Sequence, residues 1–312
     1  MPPGGTSPFD LDHQALGQLQ QQAPSKVAWQ LFDHCAAVSR IYGLFEQAIE
    51  ELVAEYIRFI PAAIPEYSNL LEETRVQYRL GVAQILLKWR TSNSLYSHLP
   101  EDLVAAGLAD GLRNKSYALL ADAFLIDSDN YRTDTVNRIF KRLGFADVFA
   151  GIRKASSIVA FCSKLGSEFA DSYLNDFVRV RNDAAHGNVT SVSSATEILS
   201  YAEFAELVIK ELATLLMGRV IRDSVASGRS TRLGGVLRAF SNNVVGVSSS
   251  SNLTIKVGDT LYAGKKQLES VIVVSLRLVK TEHSQLNLSQ GLEFGLALDK
   301  KISEGAELYY WP

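Results

Sequence analysis

The chain has 312 residues, enough for two domains with substantial cores, and its 47% hydrophobic and 21% charged composition is that of an ordinary globular protein. The net charge of −3 gives no global pull toward nucleic acid or acidic membranes, so any RNA contact must rely on a local patch. The cysteines, Cys35 and Cys162, lie far apart and outside any Cys-x-x-Cys pattern, which points away from a disulfide framework or a zinc site and toward two small apolar packing residues.

Residues 1–25, "MPPGGTSPFDLDHQALGQLQQQAPS", are rich in Pro, Gly and Gln and read as a flexible leader that contributes nothing to the fold, His13 included. The leader lacks a basic stretch followed by an apolar core, and no apolar run reaches membrane-spanning length, so a cytoplasmic protein with no membrane partner is expected.

From residue 26 to 225 the apolar period is helical. Leu31, Cys35, Val38, Tyr42, Phe45, Ile49, Leu52 and Tyr56 alternate steps of four and three, which predicts one long core-facing helix ending before Pro61. Asn69 with Glu72 predicts a second helix start, "TDTVNRIFKRLG" a short helix closed by Gly144, and Ser194 with Glu197 a capping box ahead of "ILSYAEFAELVIKELATLLMGRVI". At 226–232 the pattern changes to a linker. The runs "GVLRAF", "LTIKVGDTLYAG", "SVIVVSLRLV", "LEFGLAL" and "AELYYW" within 233–312 are strand-like and separated by Ser, Gly and Asn turns, which predicts a small antiparallel β-barrel. The expected fold class is therefore multidomain, an all-α bundle followed by a barrel.

The stretch that bears chemistry is "NDFVRVRNDAAHGNV", residues 175–189. Its apolar stripe runs Phe169, Tyr173, Phe177, and the next residue on that row is Arg181. Arginine does not deprotonate, so a guanidinium on a buried face requires an anion, either a structural carboxylate or a substrate phosphate. Asp176, Asp183 and Glu46 are the candidate carboxylates. His186 follows five residues later, about 140° around the helix, so the two side chains do not share one pocket on a straight helix, whereas Asn182 lies one turn from His186 on the same face. A site containing all three needs a loosened last turn, a neighbouring helix, or the same motif from a second, symmetry-related subunit. The plainer alternative is a structural ion pair for Arg181 and a helix-capping role for His186.

"RNDAAHG" resembles the Arg-x4-His signature of the HEPN superfamily (higher eukaryotes and prokaryotes nucleotide-binding). "SRIYGLFEQAIEELVAEYI" and "NYRTDTVNRIFKRLGF" resemble the first helix and middle insertion of its MAE-type nucleases. The resemblance spans residues 26–225 and implies a homodimeric, metal-independent endoribonuclease that needs no cofactor. Both motifs would face one cleft, with Arg181 and His186 catalytic and Asn182 supporting them. The residue types suit the reaction. Imidazole can move a proton to or from the ribose and the leaving oxygen, and a guanidinium can stabilise the phosphate as its charge grows. Products would be a 2′,3′-cyclic phosphate and a 5′-hydroxyl, and DNA would resist because it lacks the attacking hydroxyl. Glu46 matches an acidic position of related first helices. His34, His98 and His283 are read as core or solvated residues, and Arg138, Lys141 and Arg142 as either an RNA-contacting patch or an ordinary exposed face.

The C-terminal segment, with its Val-Gly-Asp turn at 257–259, central Val-Ser-Leu strand and Gly turn at Gly305, resembles the second-domain barrel of translation GTPases such as elongation factor Tu. The chain carries no Gly-x4-Gly-Lys-Ser/Thr phosphate loop. This likeness implies delivery to tRNA or another component of the translation apparatus, or recognition of a phage protein as trigger, and with the nuclease likeness it implies a toxin or antiphage effector. A non-catalytic dimeric interaction protein is the alternative from another class.

Overall fold

A computed structural model describes residues 23–89, 96–113, 117–126, 129–166, 169–189, 191–240, 243–265 and 267–312, and His13 lies outside them. The described chain is a helical region followed by an antiparallel β-barrel. No helix in it is long and apolar enough to cross a membrane.

The helices are α1 (Lys26–Ala63), α2 (Glu72–Trp89), α3 (Glu101–Leu112), α4 (Thr133–Arg142), α5 (Phe149–Ile152), α6 (Ser156–Leu165), α7 (Ala170–His186) and α8 (Ala195–Asp223). Helix α1 is the axis of the body, with α7 and α8 packed along it. Ser25 caps its start by accepting from Ala28 N–H at 3.1 Å. Val38, Tyr42, Phe45, Ile49 and Tyr56 bury as their spacing predicts, but Leu31 is 37% exposed, and Cys35 and Leu52 are only half-buried. A strict alternation of three and four has a period of 3.5, and a straight helix drifts about 20° from it per heptad. Over 38 residues the core face therefore migrates to Val53, Ile57 and Ile60 at one end and to His34 at the other.

Two expected helix boundaries fail. Helix α1 continues through Pro61 to Ala63. A proline so near the C-terminus forfeits only one intrahelical hydrogen bond, while buried Ile60 and Ala63 hold the turn and Ile64 N–H still donates to the Ile60 carbonyl at 2.7 Å. Asn69 does not cap α2, because its amide donates to Glu66 at 3.2 Å and Glu72 pairs with Arg75, so the helix begins only at Glu72. The Ser194–Glu197 capping box is present, and α4 closes through Leu143 onto Gly144 at φ +91°.

The barrel strands are β1 (Thr231–Ala239), β2 (Val244–Ser249), β3 (Leu253–Lys256), β4 (Thr260–Gly264), β5 (Glu269–Leu278), β6 (Thr281–His283), β7 (Gln285–Leu288), β8 (Glu293–Leu298) and β9 (Glu307–Tyr310). Pairing runs β4-β9-β1-β2-β8-β5, and a β4–β5 pairing closes the ring. Closure removes the open sheet edges. Strand β6 extends β5 as a hairpin, and β3 pairs with β7. His283 ends strand β6. Alternate residues such as Leu233, Val247, Leu261, Val271, Leu296 and Leu308 fill the interior.

Helix and barrel meet in a small apolar cluster of Ile221, Leu268 and Tyr309, with Tyr262 and Trp311 against it. The connection between α8 and β1 is held by two buried hydroxyls. Ser230 Oγ donates to the Ile221 carbonyl at 2.5 Å, Ser224 Oγ lies 2.9 Å from it, and Arg229 N–H donates to the Ser224 carbonyl at 3.1 Å.

Candidate functional site

Helix α7 approaches the core through an aromatic layer. Tyr173 lies edge-on to Phe204 at 4.9 Å, and Phe177 stacks on Tyr201 at 4.9 Å and meets Tyr42 edge-on at 5.6 Å. Phe169, expected at the head of this stripe, is 59% exposed because the helix starts after it.

One turn beyond Phe177, Arg181 leaves this layer half-buried. Its guanidinium carbon sits 4.3 Å from the centre of the Tyr42 ring, a cation–π contact. Its Nη1 donates to Asn182 Oδ1 at 2.9 Å and to Asn130 Oδ1 at 3.4 Å, and its Nη2 lies 3.8 Å from Glu46 Oε2. The anion required by a buried guanidinium is therefore Glu46, while Asp176 and Asp183 both pair with Arg179. At 3.8 Å the Glu46 contact is a Coulombic pairing rather than a formed hydrogen bond, so a better-placed anion can compete for the guanidinium.

Glu46 is itself held from beneath. Burial raises its carboxyl above the ordinary value, opposed by the Tyr42 hydroxyl that hydrogen-bonds it and by Arg181. Burial also drives the Tyr42 phenol above its usual range, with the Glu46 carboxylate adding to the effect. Tyr42 accepts from Tyr131 N–H at 2.7 Å, and Tyr131 in turn donates its hydroxyl to Glu50 at 2.7 Å. Tyr42, Glu46 and Glu50 are each four residues apart on α1 and form one row under Arg181. Asn130, just ahead of Tyr131, has φ +49°, a left-handed conformation that asparagine tolerates.

His186 is the last residue of α7 and is exposed, and its side chain has no hydrogen bond or ion pair among the described residues. The helix end is closed instead by backbone. Gly187 adopts φ +70°, and the Gly187 and Asn188 N–H groups both donate to the Asp183 carbonyl, the latter at 2.9 Å. The structure thus joins Arg181 to Asn182, while His186, one turn from Asn182, makes no hydrogen bond to either.

The loop after His186 is pinned to the start of α1, where buried His34 accepts from Ser193 N–H at 3.2 Å through Nδ1. His34 is accordingly a core residue. The exposed large apolar residues of these segments are Val27, Trp29 and Phe32 on α1, Val192 within the loop and Leu199 on α8. Arg142 is committed elsewhere, donating to the Phe124 and Ile126 carbonyls at 2.9 and 2.6 Å, which removes it from an RNA-contacting patch. Arg138 and Lys141 are exposed. His98 lies 3.7 Å from Asp122. Cys162 is buried, which pushes its thiol up, and Cys35 is half-buried. Among the described residues no group of three or more His, Cys, Asp or Glu is placed to hold a metal ion.

Tyr42 and Asn130 are the site residues that the sequence did not single out. Only the spacing of four among Tyr42, Glu46 and Glu50 hinted that the acidic row and the aromatic belonged together.

A family model described as RiboL-PSP-HEPN matches residues 13–218, about two thirds of the chain. Neither the curated proteins nor the solved structures include a significant match.

Proposed function

The chain belongs to the RiboL-PSP-HEPN family, and from that premise we propose that it is a metal-independent endoribonuclease whose reacting groups are Arg181 and His186, with Asn182 in support. The observation that carries the reading is the unequal state of the two groups on α7. Arg181 is preorganised by Tyr42, Asn182 and Asn130 and only loosely paired with Glu46, while the His186 imidazole is exposed and unengaged at the helix end. A phosphodiester can replace Glu46 on the guanidinium, which then meets the charge that grows in the transition state. The imidazole is the only one of these groups able to pass a proton to or from oxygen near neutral pH.

Within one chain His186 is displaced from Arg181 by about 140° and about 7.5 Å along the helix, so the site is completed by a second copy. Val27, Trp29 and Phe32 at the start of α1, Val192 in the loop that follows the motif and Leu199 on α8 are exposed apolar residues, which supports a two-fold homodimer with both motifs in one cleft. The finer assignments belong to the same proposal: an MAE-type nuclease, and a barrel of translation-factor type that brings it to tRNA or other translation-associated RNA, in a toxin or antiphage effector. Closure of the barrel by six strands supports that relation.

The test is incubation of the purified protein with total RNA in EDTA, with product ends mapped. The expected result is cleavage leaving 5′-hydroxyl ends, absent from both His186→Ala and Arg181→Ala, and DNA untouched. RNA left intact by the wild type, or cut equally by His186→Ala, overturns the reading. The alternative of a non-catalytic binding protein draws on one observation, that Arg181 already finds its anion in Glu46. Under it, Glu46→Gln destabilises the fold without altering any RNA.

A further inference from the structure

A second concave feature lies far from Arg181. Along α1 the distance from Tyr42 to Tyr56 is about 21 Å at the helical rise, and at that far position α1, α8 and the barrel enclose a cavity of about 260 Å³. Its walls are nearly all apolar and include Tyr56, Phe59, Met217, Tyr262 and Trp311. Phe59 and Met217, at 46% and 48% exposure, stand at its open side. A cavity of about 150 Å³ already holds benzene, so this one takes a larger flat ring or a branched aliphatic side chain.

The cavity does not end there. Ala213, Met217 and Tyr262 also border a second, polar depression on the same seam, lined by Glu211, Thr214, Glu269 and Lys300. Glu211 accepts from Ser157 at 2.7 Å, and Lys300 donates to the Ser270 carbonyl at 2.9 Å. With Glu55 on the apolar side, the two depressions together present three carboxylates and one ammonium, and Glu55 is itself paired with Arg58. A phosphodiester strand is repelled by that balance and finds no cationic track along it. A cation is attracted twice over, by the carboxylates and by the aromatic faces beside them.

We propose that this seam between helices and barrel is a docking site for a protein partner's segment in which an apolar, ring-sized side chain stands next to basic residues. The apolar side chain fills the cavity between α1, α8 and Trp311, and the basic residues face Glu211 and Glu269. Met, Trp and Tyr are enriched in such interfaces, and Trp and Tyr concentrate binding energy there. The site is independent of the ribonuclease reading, since it uses neither α7 nor the residues around Arg181.

Methionine labelling makes the test direct, because the chain contains two methionines, Met1 and Met217, and the second sits in the seam. The full-length protein labelled with 13C-methyl methionine is titrated with three probes: the peptide acetyl-Lys-Lys-Trp-Leu-Lys-amide, its counterpart with Glu in place of Lys, and oligouridylate. The expected result is a saturable shift of the Met217 methyl signal with the basic peptide, about tenfold weaker binding of the acidic one, and no shift with oligouridylate. Glu269→Lys, on the exposed rim, narrows the preference between the peptides. Ala213→Trp fills the cavity and removes the response. A Met217 signal that stays still with the basic peptide, moves equally with the acidic one, or follows oligouridylate overturns the proposal.

Discussion

Replacing Tyr42 with phenylalanine removes one oxygen atom and strands two groups. The ring stays, so the cation–π contact with Arg181 at 4.3 Å survives. What is lost is the acceptor of Tyr131 N–H at 2.7 Å and the hydrogen bond to Glu46. Tyr42 is fully buried, so water does not substitute for the missing oxygen. An unsatisfied buried donor costs about 1–3 kcal/mol, and the loss at Glu46 is smaller because that carboxylate keeps Arg181 and some solvent. Tyr42→Phe is therefore expected to destabilise the helical body by about 1–3 kcal/mol. Urea unfolding followed by far-ultraviolet circular dichroism, which reports mainly on the helices, should show a lower midpoint at unchanged slope. In a double-mutant cycle with Glu46→Gln, the two losses should couple rather than add. An unfolding free energy within about 0.3 kcal/mol of the wild type, or strict additivity with Glu46→Gln, refutes the claim that this hydroxyl braces the site.

Three further outcomes are expected. Because burial raises the Glu46 carboxyl above its ordinary value of 4.5, its contribution to stability is complete below that pH and is lost as pH rises through the folded value, so wild type should lose stability relative to Glu46→Gln on going from about pH 4 to pH 7; thermal melts that show a pH-independent difference contradict this. A Cβ at Gly81 would lie 2.0 Å from the Ala123 carbonyl oxygen, backbone against backbone, so Gly81→Ala should cost more than about 3 kcal/mol, whereas Gly43→Ala, which meets nothing within 4 Å in mid-helix, should gain up to about 1 kcal/mol in the same melts. Val279, a β-branched residue at φ +60° and 93% exposed in the β5–β6 turn, carries strain with no packing to offset it, so Val279→Gly should stabilise the barrel by about 1 kcal/mol, read from amide hydrogen exchange of the β5 and β8 strands.

The helices were legible in the sequence because their signals are local: the capping box at Ser194, the Gly144 stop, and a stripe in which Tyr42, Phe45 and Ile49 recur at helical spacing. Where the reading failed, tertiary packing had overruled a local rule. Pro61 should end a helix, but buried Ile60 and Ala63 hold the turn. Strand β2 is masked in the sequence because Gly246 and Ser248 alternate with its inward Val245 and Val247 and Asn and Ser runs flank it, so its composition resembles a turn. The demand that Arg181 find an anion followed from its position on the apolar row. Which anion did not follow, since Glu46 stands 135 residues earlier in the chain and only the packing of α7 on α1 brings them together. Asn130 was beyond reach for the same reason, and its left-handed backbone leaves no mark in composition.

The two serines between α8 and β1 have a mechanical meaning. With Ser224 and Ser230 wholly interior and tied to the last helical carbonyls, the chain enters the barrel without a swivel. Twisting the barrel about α8 would pull Ser230 off Ile221 and strand both hydroxyls, so its heading is inherited from the helix axis. A torque applied to the barrel is thus borne by α8 and passes to α1 packed alongside it, which carries near its middle the carboxylate beneath Arg181.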